Sequence, residues 1–413
     1  MGDRPRHRET AGRPRQRDGD RGGVSELLRG LLRHQPAGWA VIGGTAEFYA
    51  VTKYLHHLLH GQADPGRLDD PEMARTYRAA LAPQAEWFAR RVTTGDVVVL
   101  HDPQTLGLAP AVKAAGARVV WHCHIGAEVA PERGPGAVWR VFAAELAAVD
   151  AVVTTMPGFA PPRTRELFVV PPAVDPAATK NRELTGDEVA AVLAGIGLTT
   201  GRASTGVTVR QDRPLPAGAR VVLQVSRWDP LKDMPGVVRC VVGLPKDVHV
   251  VLAGTEPAEI PDDPEGLAVL AEVTSVLSGL PDEDRARVHL VNISLRDPER
   301  NALVVNALQR RADVVLQKSL QEGFGLTVTE AMVKGRPVVA SDVGGLRLQV
   351  THGHNGLLVD PADLAGVRTA LIRLLDDPAL CRELGRRART GALERYTMRR
   401  FAADYLKVLH RAP

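Results

Sequence analysis

The chain has few cysteines, few lysines, few aromatic rings and no long apolar run. Its three cysteines, Cys123, Cys240 and Cys381, are odd in number and far apart, which excludes a disulfide scaffold and fits a reducing cytoplasm. No apolar run approaches the roughly 18–20 residues that a membrane span requires, so no membrane partner is expected. The arginine-rich start lacks an apolar core segment and does not read as a secretory signal. A net charge of +4 does not call for a nucleic-acid partner, and none is expected. Only eight lysines stand against forty-four arginines. Two of those lysines, Lys232 and Lys318, fall in the two segments that carry the chemistry, and Lys334 follows just after the second. Against these scarcities, 44% apolar and 24% charged residues are ordinary for a globular protein. The 413 residues suggest two or three domains.

Residues 1–21 hold seven arginines, four acidic residues and almost nothing apolar, the composition of a disordered basic tail. From Val24 the spacing turns helical, with Leu27, Leu28, Leu31 and Leu32 on the same face. Strands are predicted at 39–42, 97–100, 119–122, 151–154 and 168–170, and helices at 72–91, 107–115 and 137–148. Residues 171–218 are rich in Pro, Thr and Gly and read as a connection with a peripheral insertion and a short helix at 186–196. A second alternating series follows. Its strands are predicted at 220–225, 249–253, 288–291, 314–317, 337–340 and 356–359, with helices at 234–243, 265–279, 299–311, 326–334 and 362–375. Strand–helix alternation of this kind predicts an α/β fold with two doubly wound, Rossmann-like parallel sheets.

Gln317–Glu330 carries the strongest chemical signal. Two carboxylates, Glu322 and Glu330, flank a Gly323-Phe324-Gly325 turn that opens an apolar helix through Leu326 and Thr327. Such a turn aims free N–H groups and a positive helix end at one spot, which suits a phosphate, while the carboxylates can accept bonds from sugar hydroxyls. Diphosphate plus sugar means a nucleotide sugar. Ser226, Arg227 and Lys232 follow the 220–225 strand, and two cations there would neutralise a leaving diphosphate. The plain alternative is a surface salt bridge to Asp229 or Asp233, and for Lys318 a solvated charge. Gly22-Gly23 would let the first helix approach a diphosphate closely. His101 and Asp102 close a strand and line an acceptor pocket. His122 and His124 alternate on one strand, a spacing that metal sites use, but no third ligand stands nearby in the sequence. No metal is expected, and a hydrogen-bonded core histidine remains open for His124.

Ser226-Arg227-Trp228-Asp229-Pro230-Leu231-Lys232, Glu322-Gly323-Phe324-Gly325 through Glu330, Gly335-Arg336-Pro337-Val338-Val339 and Val343-Gly344-Gly345 together resemble retaining glycosyltransferases of family four, which have the GT-B fold. The likeness narrows to trehalose synthases through Gly22–Leu27, Glu47-Phe48-Tyr49, Val51-Thr52-Lys53, His101–Gln104, Trp121, Cys123-His124-Ile125 and Pro171–Pro176, and spans residues 22–413. It implies two facing domains, 22–175 on the acceptor side and 219–395 on the donor side, with 176–218 between them. It also implies a final helix near 396–411 that crosses back. It implies that Glu322 and His124 contact the donor sugar and that Glu330 meets the ribose. His101, Asp102, Gln104, Glu47, Lys53 and His57 fall on its acceptor side. Retention is likewise implied, by same-face substitution with no cofactor beyond a GDP-, UDP- or ADP-linked sugar donor.

The departures concentrate on the acceptor side. The region before the glycine turn is the polar 16–21 rather than an apolar strand. His56-His57 stands for His-Asn, Leu59-His60-Gly61 for Leu-Gln-Gly, and Trp121-His122-Cys123-His124-Ile125-Gly126 for Trp-Arg-Cys-His-Ile-Asp. Losing polar anchors alters acceptor choice more than donor chemistry. The leading expectation is therefore a cytoplasmic retaining transferase moving a hexosyl unit to a small acceptor other than glucose, forming an O- or S-glycoside in an actinomycete antibiotic pathway. A trehalose synthase is the alternative, and a catalytically silent sugar-nucleotide-binding protein is a third. Small-molecule donor and acceptor are the expected partners, with a homodimer left open.

Overall fold

In the computed structural model, residues 38, 40–130, 134–202, 204–260 and 264–410 are described. The tail 1–21, Gly22, Gly23, the helix predicted from Val24 and the polar segment 16–21 all lie outside them. The strand predicted at 39–42 does not form among its described residues, 40–42.

The N-terminal sheet is wholly parallel, with strands β1 (Val97–His101), β2 (Arg118–Cys123), β3 (Ala151–Thr154) and β4 (Leu167–Val169) in that spatial order. The helix predicted at 107–115 forms over Ala109–Ala114, and a further short helix, Asp102–Leu106, not anticipated from the sequence, precedes it; each is opened by a proline in its first turn. Helix 137–148 also divides, at the buried Phe142, into Pro135–Val141 and Ala143–Ala147. The helix Ala46–Leu59, not anticipated from the sequence, is capped by the Thr45 hydroxyl and packs Phe48, Leu55 and Leu58 onto the sheet's core.

The larger sheet takes β5 (Val207–Arg210), β6 (Arg220–Val225), β7 (Val248–Thr255), β8 (Val288–Ile293), β9 (Val314–Gln317), β10 (Val338–Ser341) and β11 (Leu357–Val359). Their spatial order is β11-β10-β9-β6-β7-β8-β5. Its central strands are valine-rich runs buried on both faces, as parallel sheets covered by helices require. Only β5 runs antiparallel, along β8. This corrects the reading of 176–218 as a peripheral insertion. The capped helix Gly186–Gly195 and β5 place Val189, Leu193, Leu198, Val207 and Leu215 in the main core of the larger sheet.

Two features of this architecture position the site. The chain runs outward from β6 through β7 to β8, then returns to start β9 on the other side of β6. The loops leaving β6 and β9 therefore diverge at a topological switch point, where open α/β sheets bind ligands. In the final helix, Met398–His410, Phe401, Tyr405 and Val408 pack with Val120, Val153 and Val170 of the N-terminal sheet. Beside it the two chain crossings are joined, since the Val174 N–H donates to the Tyr396 carbonyl at 2.9 Å and Val174 bridges Thr397.

Candidate active site

The β6 loop is held by a buried ring. Trp228 is only 2% exposed, and Gly254 of β7 packs so closely against its indole that a side chain there would collide with it. Burial of such a ring contributes about 3 kcal/mol, which fixes Arg227 and Asp229 on either side. Arg227 Nη2 donates to Asp229 Oδ2 at 2.8 Å, and Asp229 Oδ1 accepts the Leu231 N–H at 2.8 Å. Burial works against the Asp229 charge, but Arg227 and Lys232 outweigh it and hold the carboxyl below its ordinary range. The Arg227 side chain is 55% exposed and so can reach a ligand while resting on Asp229. This salt bridge is the plain alternative raised by the sequence, and it coexists with an open guanidinium.

Lys232 is different. Its Nζ donates to Glu322 Oε2 at 2.8 Å, with both side chains largely buried. Ser319 Oγ donates to the same oxygen at 3.0 Å, and Gln317 links Ser319 to Thr327 through bonds of 2.9 Å each. Gly344 and Gly345 press against the turn from below, where a Cβ at either would strike the Glu322 or Gly323 carbonyl. The Gly345 N–H donates to the Glu322 carbonyl at 3.0 Å. Gly325, at φ 86°, opens the helix Leu326–Val333 without a side-chain cap, so its first N–H groups face the turn with no side-chain acceptor. Further along that helix Glu330 is buried, with Oε1 3.5 Å from Lys180 Nζ and Oε2 lacking any partner among the described residues. An unpaired buried carboxylate oxygen is costly and suits a hydroxyl donor.

Two predicted donor residues serve as supports instead. Lys318 is paired with Asp233, and its N–H donates to Gln224 Oε1 at 2.8 Å. The Ser226 hydroxyl turns inward to Met234 Sδ. Lys334 is also structural: its Nζ donates to Asn181 Oδ1, Gln309 Oε1 and the Glu330 carbonyl at 2.9, 2.8 and 3.1 Å, and burial pushes its ammonium down to about 7.

The opposite wall is made of imidazoles. A Cβ on Gly323 would lie 3.5 Å from the His124 carbonyl oxygen, so the glycine turn meets the end of β2 directly. His101 Nδ1 and His124 Nε2 are 3.0 Å apart. Asp102 adopts φ 59°, unusual for a non-glycine residue, and its Oδ1 accepts the His124 N–H at 2.7 Å. The Gln104 side-chain oxygen is buried without a partner among the described residues. Lys53 and His57 both lie 3.7 Å from Glu265 on the C-terminal domain's helix Pro264–Ser278, so they close the cleft edge. Glu47 does not join them: it is exposed in the first turn of Ala46–Leu59, about 15 Å along the axis from His57.

His56 and His60 were not assigned from the sequence, although His60 marks one of the departures. Burial pushes His60 down to about 4, and the Lys232 cation across the cleft adds to it. Burial likewise takes His56 to about 3, with His60 and Arg227 reinforcing. Lys180 over Glu330 was also missed; nothing in its local sequence marks it.

Comparisons with known proteins agree with this geometry. Residues 19–161 match the family described as Trehalose synthase, N-terminal domain, and residues 298–391 match Glycosyl transferases group 1. The trehalose synthase of Rubrobacter xylanophilus is 34% identical, covering 94% of this chain and 87% of its own length. That of Pyrococcus horikoshii is 30% identical over the same shares. Among solved structures, a UDP-forming trehalose-phosphate synthase from Burkholderia xenovorans in complex with glucose-6-phosphate superposes with a TM-score of 0.70 at 17% identity, covering 97% of each chain. Anabaena HepE in complex with UDP and glucose gives 0.63 at 20% identity, covering 81% of this chain and 82% of its own. These structures share the GT-B fold. With relatives matched along nearly its whole length, the chain belongs to the trehalose synthase family of GT-B glycosyltransferases.

Proposed function

We propose that this glycosyltransferase joins the glucosyl unit of a nucleoside diphosphate glucose to free glucose, with retention and without a divalent metal. One observation carries the choice of acceptor: relatives named trehalose synthase are 34% and 30% identical across 94% of the chain. This reverses the order of expectations drawn from the departures alone, and an antibiotic pathway gains no support. UDP is the first donor nucleotide to test, because HepE is described with UDP and with UDP-glucose; GDP and ADP follow.

In this reading Arg227 and Lys232 take the departing diphosphate, and the uncapped turn at Gly325 faces its oxygens. Lys232 already holds Glu322, so one ammonium couples the diphosphate to the carboxylate beside the donor sugar. The free Glu330 oxygen accepts from the ribose. His124 lies against the sugar from the other wall. The bond from the anomeric carbon to the phosphate oxygen breaks, and the acceptor hydroxyl attacks on the same face. Its proton passes to the departing phosphate oxygen. Catalysis is then positioning plus charge stabilisation, with two cations where other transferases use a metal. Three free thiols fit a reducing cytoplasm.

The test is nucleoside diphosphate release from UDP-, GDP- and ADP-glucose against a panel of acceptors, with the disaccharide identified. Glucose-dependent trehalose is the expected product. A second reading, a different small acceptor, is favoured by His57, His60, His122 and Gly126; turnover that ignores glucose but responds to another hydroxyl or thiol would select it. Tight donor binding with no turnover on any acceptor would select a silent binding protein.

A further inference from the structure

The cleft wall gathers three histidines that no step of the transfer uses as a group. His101 is the cross-strand partner of His122 in the β1–β2 register, and His124 lies two residues beyond His122. Alternation puts all three on one side of the sheet end. The third ligand missing from the linear sequence thus comes from the neighbouring strand. We propose that His101, His122 and His124 bind one divalent cation of the zinc class.

One ligand nitrogen from each ring lies within 4.8 Å of the other two. Nitrogens held at 2.0–2.1 Å by a tetrahedral ion stand about 3.3 Å apart, and His101 Nδ1 and His124 Nε2 are already at 3.0 Å. The ion enters between them. The hydrogen-bonding proton moves to the remote nitrogen of its own ring, so both rings stay neutral. His122 would ligate through its second nitrogen, because its Nδ1 is bonded to the Tyr405 hydroxyl. That bond fixes ring and tautomer as outer partners of metal-bound histidines do. His122 is buried, while His101 and His124 are half-buried, so the fourth position opens to the cleft.

An ion here draws His124 away from the donor sugar and so blocks turnover. That consequence rests on the donor-site reading above, whereas binding itself does not. The experiment titrates the full chain with Co2+ and Zn2+. One Co2+ per chain with the intense visible bands of four-coordinate cobalt is expected, displaced by Zn2+. The bands should vanish in H122R and H101N, each still binding UDP as a check on folding, and Y405F should weaken affinity roughly 10- to 100-fold. Absent bands in the wild type, or bands that survive both substitutions, would overturn the site. Bands without inhibition of turnover uphold the ion site and overturn the assignment of His124 to the donor.

Discussion

The two walls of the cleft solve their tasks with different materials. The C-terminal wall is charged and pre-paired: Arg227 rests on Asp229, Lys232 on Glu322, and Lys180 on Glu330. The N-terminal wall is mostly imidazole rings, of which His56, His60, His101 and His122 are held neutral chiefly by burial. Under the proposed function, a dianionic donor needs fixed cations whose partners can be exchanged. An uncharged sugar acceptor needs directional hydrogen bonds, and a second set of cations would misdirect the diphosphate. The wall with the simpler electrostatic demand is also the one whose residues follow the family motifs, while the substitutions collect on the other.

The largest effect should come from the charged wall. Lys232→Ala or Glu330→Ala is expected to lower steady-state nucleoside diphosphate release ~100- to 1000-fold while each variant keeps the wild-type far-ultraviolet circular dichroism at the assay temperature. Wild-type rates in either variant would break the contrast at once. Next, Lys334→Met removes a donor from three buried acceptors and should cost roughly 3 kcal/mol of stability in urea titration, with the KM of any surviving activity unchanged.

The neutral wall should announce itself through acid. His56 and His60 sit at about 3 and 4 in the fold, against an ordinary 6.5 in the unfolded chain. Between those values the unfolded state binds more protons, so stability is complete above pH 6.5 and is lost as pH falls toward 4. At pH 5 each contributes a loss of up to ~2 kcal/mol. Thermal melts from pH 7 to 5 check this, and a saturating nucleoside diphosphate should blunt the slope by bringing anions beside both rings. A melting temperature flat across that range would mean these rings are not neutral.

Smaller still, His57→Asn with His60→Gln should lower the KM for glucose several-fold without changing donor affinity. The exposed ion pair between Arg347 and Glu128, which spans the cleft, should contribute less than ~1 kcal/mol. Glu128→Ala is therefore expected to leave kcat within a factor of two, as steady-state rates would show.

The same division governs how much could be read from the sequence. The donor side was legible because its parts are short contiguous runs at strand ends: Arg227–Lys232 after β6 and Glu322–Glu330 after β9. Strand alternation gave both sheets and nearly every strand. What escaped depends on neighbours in space. The edge strand β5 hides in a Pro- and Thr-rich stretch and is defined only by its pairing with β8. His101 joins His122 through strand register, and Tyr405 arrives from the far end of the chain. The scarcity of lysine marked Lys318 and Lys334 as notable without telling an active group from a buried support. Of Lys232, Lys318 and Lys334, the first faces Glu322 in the glycine turn while the other two are buried supports.

The paired crossings at Val174 and Thr397 have a mechanical consequence. A single tether would let one lobe swivel about the other and scramble the facing walls. Two adjacent tethers, stitched together and backed by the docked terminal helix, act like two pins on one hinge leaf. They hold the two walls in one register, with the end of the His124 strand kept against the turn at Gly323.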